Sequence, residues 1–134
     1  MKNKKSWIGI LATIALCGGY AAHASGSTCA EESNYPEISK SELKKVSEAK
    51  SALIVDVNSG ESYKKAHVPG AIHYATHQSE FAKMLPKDKG AMIVAYCGGK
   101  MCVAWKKAAE EACKLGYTNI HHFKDGIQGW TAKN

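Results

Sequence analysis

The chain has 134 residues and a formal net charge of +6, with 18 basic and 12 acidic side chains. This length predicts a single domain, and the basic excess is mild and spread along the chain, so we expect no nucleic-acid partner. The sequence contains no arginine. Any anion site must therefore use backbone N–H groups, helix ends and lysine, because no bidentate guanidinium is present.

The N-terminal 24 residues have the layout of a bacterial secretory signal peptide. Three lysines within the first five residues precede an apolar, uncharged run at Trp7–Leu16, and small residues follow at Ala22 and Ala24. The apolar run is too short to span a bilayer, which needs about 20 residues. We expect cleavage after Ala24, a periplasmic or secreted protein and no membrane contact afterwards; retention of the segment as an anchor is the alternative.

The remaining chain divides into a polar, turn-prone arm at 25–36, expected to be flexible, and one domain at 37–134. Apolar runs predict strands at 52–57, 71–74, 91–96 and 119–123. Capping residues and spacing predict helices at 40–50, after Ser39 as the cap, and at 60–65, 78–85, 103–115 and 127–132. Gly116 is expected to close the fourth helix in a left-handed conformation. This alternation predicts an α/β fold: a central parallel sheet of four or five strands with helices on both faces.

The most informative segment joins the third strand to the fourth helix. Cys97 follows the strand directly, at the edge of the sheet where α/β folds bind ligands. Gly98 and Gly99 allow successive N–H groups to converge, and the N-terminus of the following helix adds partial positive charge. This environment should lower the pKa of the Cys97 thiol and yield a nucleophilic thiolate, with Lys100 as a mobile cation nearby. A buried, inert cysteine is the alternative interpretation.

Five sequence pieces follow one another along the chain: LIVDV at 53–57, AHVPGAIH at 66–73, the Tyr96-Cys97 start of the loop, LGYTNI at 115–120 and GIQGW at 126–130. In this order and spacing they resemble the rhodanese family of sulfurtransferases. The resemblance implies the three-layer fold of that family and a catalytic Cys97 that carries sulfane sulfur as a persulfide. It also implies an anion-binding loop of Gly98, Gly99, Lys100, Met101 and Cys102, a small sulfur-containing donor, a thiol acceptor or a protein persulfide partner, and no cofactor or metal.

Asn58 stands where the family usually has arginine, which weakens the case for thiosulfate as the donor. Cys102 gives the loop a Cys-x-x-x-x-Cys form found in part of the family. It has three interpretations: a resolving thiol that forms a disulfide with Cys97, a passive residue before the helix, or a metal ligand. His121 and His122, adjacent on a strand, should point to opposite faces, which argues against a metal site.

Three further residues are candidates for supporting roles. Asp56 either orients the catalytic loop or caps the next turn, and His67 either fixes its own turn or transfers protons. Trp105 is expected to border the mouth of the pocket. Of the other cysteines, Cys113 is predicted to fill the core, and Cys29 to be either paired or free.

Three functions follow as hypotheses. The first is a sulfurtransferase that uses Cys97. The second is a thiol–disulfide redox or sulfur-sensing protein that uses Cys97 with Cys102 and lacks the thioredoxin Cys-x-x-Cys spacing. The third is a non-catalytic module that binds an anion or a thiol.

Overall fold

The computed structural model describes residues 28–133. The predicted signal peptide at 1–24 lies outside these residues, as does the beginning of the predicted arm. Within the described residues, no helix combines the length and apolarity needed to cross a bilayer.

The described residues form a parallel sheet with helices on both sides. The strands are β1 (Ala52–Asp56), β2 (Ile72–His73), β3 (Met92–Tyr96) and β4 (Ile120–His122). The helices are α1 (Lys40–Glu48), α2 (Gly60–Lys65), α3 (Tyr74–His77), α4 (Phe81–Met84), α5 (Lys106–Lys114) and α6 (Gly126–Thr131). Short 3₁₀ turns cover Thr28–Ala30, Glu32–Asn34 and Gln78–Glu80.

The strand order is β2-β1-β3-β4, with all pairs parallel. Asp56 is opposite Tyr96 in the register of β1 and β3, so both strands end at the same edge of the sheet. Alternate residues of the sheet enter two separate cores. One contains Val55 and Ile93 with α3, α4 and α5, and the other contains Ile54 and Val94 with α1 and α6. The predicted α/β class and covered parallel sheet are confirmed.

Two helix boundaries differ from the prediction. The segment predicted as one helix at 78–85 is a 3₁₀ turn followed by α4, because Glu80 between them leaves the helical region at φ −118° and ψ 6°. The helix predicted to begin at Val103 begins at Lys106, after a turn at residues 104–105. Gly116 ends α5 with φ +92°, the left-handed conformation predicted for it.

The N-terminal segment does not match the expectation of a flexible arm over its described part, residues 28–36. Cys29 is buried and forms a disulfide with Cys113 of α5, and the Tyr35 hydroxyl donates to the Cys29 carbonyl oxygen at 2.5 Å. The prediction of Cys113 as simple core filler was therefore wrong. Helical periodicity placed Cys113 on a packed face, but periodicity carries no information about a partner 84 residues away.

Candidate active site

The loop after β3 places two cysteines in direct contact. Cys97 follows Tyr96 at the carboxyl end of the strand, and its sulfur is disulfide-bonded to Cys102. Cys97 is only 2% exposed, whereas Cys102 is half-buried and faces an open pocket. The structure thus brings the predicted nucleophile and the predicted resolving thiol together.

Helix α6 holds the backbone of this loop in one orientation. The N–H of Ile127 donates to the carbonyl oxygen of Cys97 at 2.9 Å, and the N–H of Gln128 donates to that of Gly98 at 3.0 Å. The peptide bonds are trans, so each N–H points opposite to the carbonyl of the same peptide plane. The N–H groups of Gly98 and Gly99 therefore point away from α6.

Four successive amides of the loop are available to a ligand. The N–H groups of Gly98, Gly99, Lys100 and Met101 donate to no acceptor among residues 28–133. The predicted anion-binding loop also included Cys102, but the N–H of Cys102 donates to the carbonyl oxygen of Gly99 at 3.0 Å. This bond closes the loop into a turn. The series of amides without an acceptor among the described residues therefore ends at Met101.

Gly126 allows α6 to approach the loop this closely. It has φ +58°, and a Cβ there would lie 2.5 Å from the Cys97 carbonyl oxygen and 2.6 Å from the nitrogen of Gly99. These neighbours are backbone atoms and φ is positive, so glycine is needed at this position. A Cβ on Gly99 would lie 2.5 Å from Oε1 of Gln128, the end of a flexible side chain that can move aside, so the constraint there is weaker.

An open pocket of about 490 Å³ lies between the loop and the start of α6. Its lining includes all five residues of the predicted anion-binding loop: Gly98, Gly99, Lys100, Met101 and Cys102. The other lining residues are Asp125, Gln128 and Gly129. Nζ of Lys100 lies 3.6 Å from Oδ1 of Asp125, and both side chains are substantially exposed. Such an exposed ion pair contributes little to stability.

Asp56 is buried at the end of β1 and accepts hydrogen bonds on both of its carboxylate oxygens. Its Oδ1 accepts from the backbone N–H and the side-chain amide of Asn58 at 2.8 and 2.7 Å, which caps the turn after β1. Its Oδ2 accepts from the Tyr96 hydroxyl at 2.6 Å, and that hydroxyl accepts from the N–H of Val68 at 3.0 Å. Burial, followed by this bond to Asp56, raises the pKa of Tyr96 well above its usual value. Tyr96 therefore remains a neutral donor to Asp56.

Asn58 connects this buried network to the loop. A Cβ on Gly98 would lie 3.7 Å from Oδ1 of Asn58, and the carbonyl oxygen of Asn58 is 2.8 Å from Nε2 of His73. Asn58, at the position where the resemblance implies arginine, therefore lies close to the start of the loop. It brings no positive charge to the site.

The other two candidate residues lie away from the pocket. Nδ1 of His67 is 2.8 Å from the Tyr63 carbonyl oxygen, and its ring stacks on Tyr63 with centroids 4.0 Å apart, as a turn-fixing role requires. Trp105 was expected at the pocket mouth, but it is 1% exposed. It stacks on His122 with centroids 3.7 Å apart and belongs to the core that contains α5.

Sequence reasoning missed Asp125, Gln128 and Gly129 as pocket residues. The signal was present in the six-residue helix α6, which contains glycine at both 126 and 129. Two glycines in so short a helix indicate close backbone approach. As for metals, the described part of the chain contains no cluster of three or more His, Cys, Asp or Glu side chains suited to an ion.

The fold and the loop define an α/β domain with a cysteine at the carboxyl end of a central strand, followed by four backbone amides that donate to no acceptor among residues 28–133. Residues 39–133 match the family model described as a rhodanese-like domain. The chain belongs to the rhodanese-like domain family.

Known relatives include proteins named for sulfur transfer. Thiosulfate sulfurtransferase GlpE of Shewanella oneidensis is 26% identical over 103 residues, covering 76% of this chain and 98% of that protein. The putative sulfur carrier protein YrkF of Bacillus subtilis is 32% identical over 75% of this chain, which spans about half (54%) of YrkF. Among solved structures, the human single-domain sulfurtransferase TSTD1 matches with a TM-score of 0.59 and 22% identity, covering 74% of this chain and 97% of that one.

Proposed function

We propose that this protein is a sulfurtransferase whose Cys97 carries sulfane sulfur as a persulfide. The observation that carries the proposal is the set of four amides, Gly98 to Met101, that follow Cys97 directly and donate to no acceptor in the part of the chain that the structure describes. Donors arranged in this way stabilise a thiolate or a persulfide anion, because each makes a charge-assisted hydrogen bond. The same arrangement would not be needed around an inert thiol.

The proposed cycle has two displacement steps. The Cys97 thiolate attacks the sulfane sulfur of a donor, forming an S–S bond while the donor leaves as an anion, which is sulfite from thiosulfate or a thiolate from a persulfide. An acceptor thiolate then attacks the outer sulfur, takes it, and leaves Cys97 as a thiolate. A persulfide-type donor suits this site better than thiosulfate, because the chain has no arginine to bind a doubly charged anion.

The Cys97–Cys102 disulfide favours a second candidate, a thiol–disulfide redox or sulfur-sensing role. The Cys102 thiolate can attack the inner sulfur of the Cys97 persulfide, forming the disulfide and expelling hydrosulfide. The two cysteine sulfurs are oxidised, and the sulfane sulfur takes up both electrons. Sulfur transfer would then stop until a thiol reduces the loop.

We also propose that the protein works in an oxidising compartment, the periplasm or outside the cell, after export and signal cleavage. The Cys29–Cys113 disulfide supports this, since structural disulfides persist mainly in such compartments. Its burial against α5 is consistent with a stabilising cross-link rather than a catalytic one.

Turnover by matched variants separates the two candidates. Reduced wild-type protein, Cys97→Ser and Cys102→Ser would each be given glutathione persulfide or thiosulfate, with a thiol acceptor, and persulfide product measured. Sulfur transfer predicts that Cys97→Ser is inactive and that Cys102→Ser still transfers sulfur. Loss of all activity in Cys102→Ser would instead favour the redox role, and activity in Cys97→Ser would refute the proposal.

A further inference from the structure

We infer that the loop disulfide is opened from one side only: an incoming thiol attacks Cys102 and expels Cys97 as the thiolate. This assignment concerns how the oxidised loop is reduced. It deepens the proposed function by giving Cys102 a direct role as the site of thiol entry, and it can be tested whether or not sulfur transfer occurs.

The first argument is access. Thiol–disulfide exchange requires the attacking thiolate to reach one sulfur in line with the bond that breaks, so the exposure of the two sulfurs decides between them. Cys97 is 2% exposed and does not line the pocket, whereas Cys102 is half-buried and does. The neighbours of Cys102 also face solvent, with Met101 94% and Val103 65% exposed. An attacking thiol therefore meets Cys102 first.

The second argument is the leaving group. A disulfide opens faster when the departing thiolate is better stabilised. The unpaired N–H groups of Gly98 to Met101 lie in the loop that follows Cys97, and the N–H of Cys102 is already occupied by Gly99. A thiolate on Cys97 is therefore the better leaving group.

The reaction is balanced with a thiol as the only reductant. The thiolate RS⁻ forms an S–S bond to Cys102, the Cys97–Cys102 bond breaks, and its electron pair stays on Cys97. A second thiolate then attacks the mixed disulfide, releasing RSSR and the Cys102 thiolate. The two-electron reduction of the loop thus equals the oxidation of two thiols to one disulfide. The substrate class is a monothiol or a protein thiol small enough at its reactive end to enter the pocket.

The sequence allows the attacked sulfur to be identified by a single digest. Lys100 lies between the two cysteines, so trypsin places Cys97 on peptide 90–100 and Cys102 on peptide 101–106. Oxidised protein would react for a short time with less than one equivalent of glutathione, and an excess of the fast alkylating agent N-ethylmaleimide would then be added to stop the exchange. The alkylating agent then captures whichever cysteine is expelled.

The expected product carries glutathione on peptide 101–106 and an alkyl group on peptide 90–100, in preference to the reverse by at least about tenfold. The matched control is the same protein unfolded in guanidinium, where burial no longer distinguishes the sulfurs and the two products should approach equal amounts. Glutathione on peptide 90–100, an even split in the folded protein, or alkylation of both cysteines without any glutathione adduct would each overturn the inference.

Discussion

Gly126→Ala tests whether α6 positions the catalytic loop. The substitution adds one methyl group at a point where the Cβ would lie 2.5 Å from the Cys97 carbonyl oxygen and 2.6 Å from the Gly98 carbonyl carbon. These neighbours are backbone atoms, so no side-chain rotation relieves the clash. Either α6 or the loop must move.

The expected loss of stability can be estimated from two contributions. Alanine at φ +58° costs about 1–2 kcal/mol relative to glycine. Displacing α6 also weakens the bonds from Ile127 and Gln128 to the loop carbonyls, each contributing about 0.5–1.5 kcal/mol. We therefore expect the free energy of unfolding to fall by about 2–5 kcal/mol.

Gly116→Ala is the matched control. Gly116 has φ +92° but nothing within 4 Å of its would-be Cβ, so it incurs the backbone strain without the clash. Urea unfolding should show a smaller loss for Gly116→Ala, about 1–2 kcal/mol. Its rate of sulfur loading should be unchanged.

In Gly126→Ala, sulfur loading on Cys97 should slow by about tenfold or more, because losing one amide bond to an anion costs at least about 1.4 kcal/mol. Equal stability of the two variants together with normal loading in Gly126→Ala would refute the view that α6 holds the loop in its working shape.

Two predictions concern stability. The double variant Cys29→Ser/Cys113→Ser should lower the free energy of unfolding in urea by up to about 4.5 kcal/mol, because it releases a cross-link spanning 84 residues; an unchanged midpoint would contradict this. Burial lowers the pKa of His122 from 6.5 to about 4, so the folded state keeps it neutral while the unfolded state takes up a proton below about pH 6.5. The free energy of unfolding should therefore decrease as the pH falls from about 6.5 to about 4, by at most about 3 kcal/mol. His122→Gln should flatten this slope and His121→Gln should not; a slope that persists in His122→Gln would assign it to another group.

The sequence was sufficient to predict the fold class because each strand is a short apolar run with clear turn signals on either side. It also located Cys97 and the loop, since a strand, a cysteine and two glycines stand next to one another. What it could not supply were contacts between distant segments. The partner of Cys29, the burial of Trp105 against His122 and the approach of Gly126 to Cys97 all depend on tertiary packing.

The amide of Cys102 shows a finer limit. The prediction of an anion-binding loop of five residues assumed that every N–H in the loop faces the same space. In the structure the N–H of Cys102 donates to the Gly99 carbonyl oxygen, because the loop must close on itself to reach the disulfide. A single turn hydrogen bond of this kind has no signature in residue types alone.

The central claim is that the Sγ atom of Cys97 carries the transferred sulfur as a persulfide. Peptide mapping tests this claim most directly. Protein reduced at the loop and freed of reductant would be incubated with glutathione persulfide, alkylated and digested with trypsin. The account predicts that peptide 90–100, which contains Cys97, gains the mass of one sulfur atom. Added sulfur found only on peptide 101–106, or on no cysteine peptide while Cys97 is fully alkylated, would contradict it.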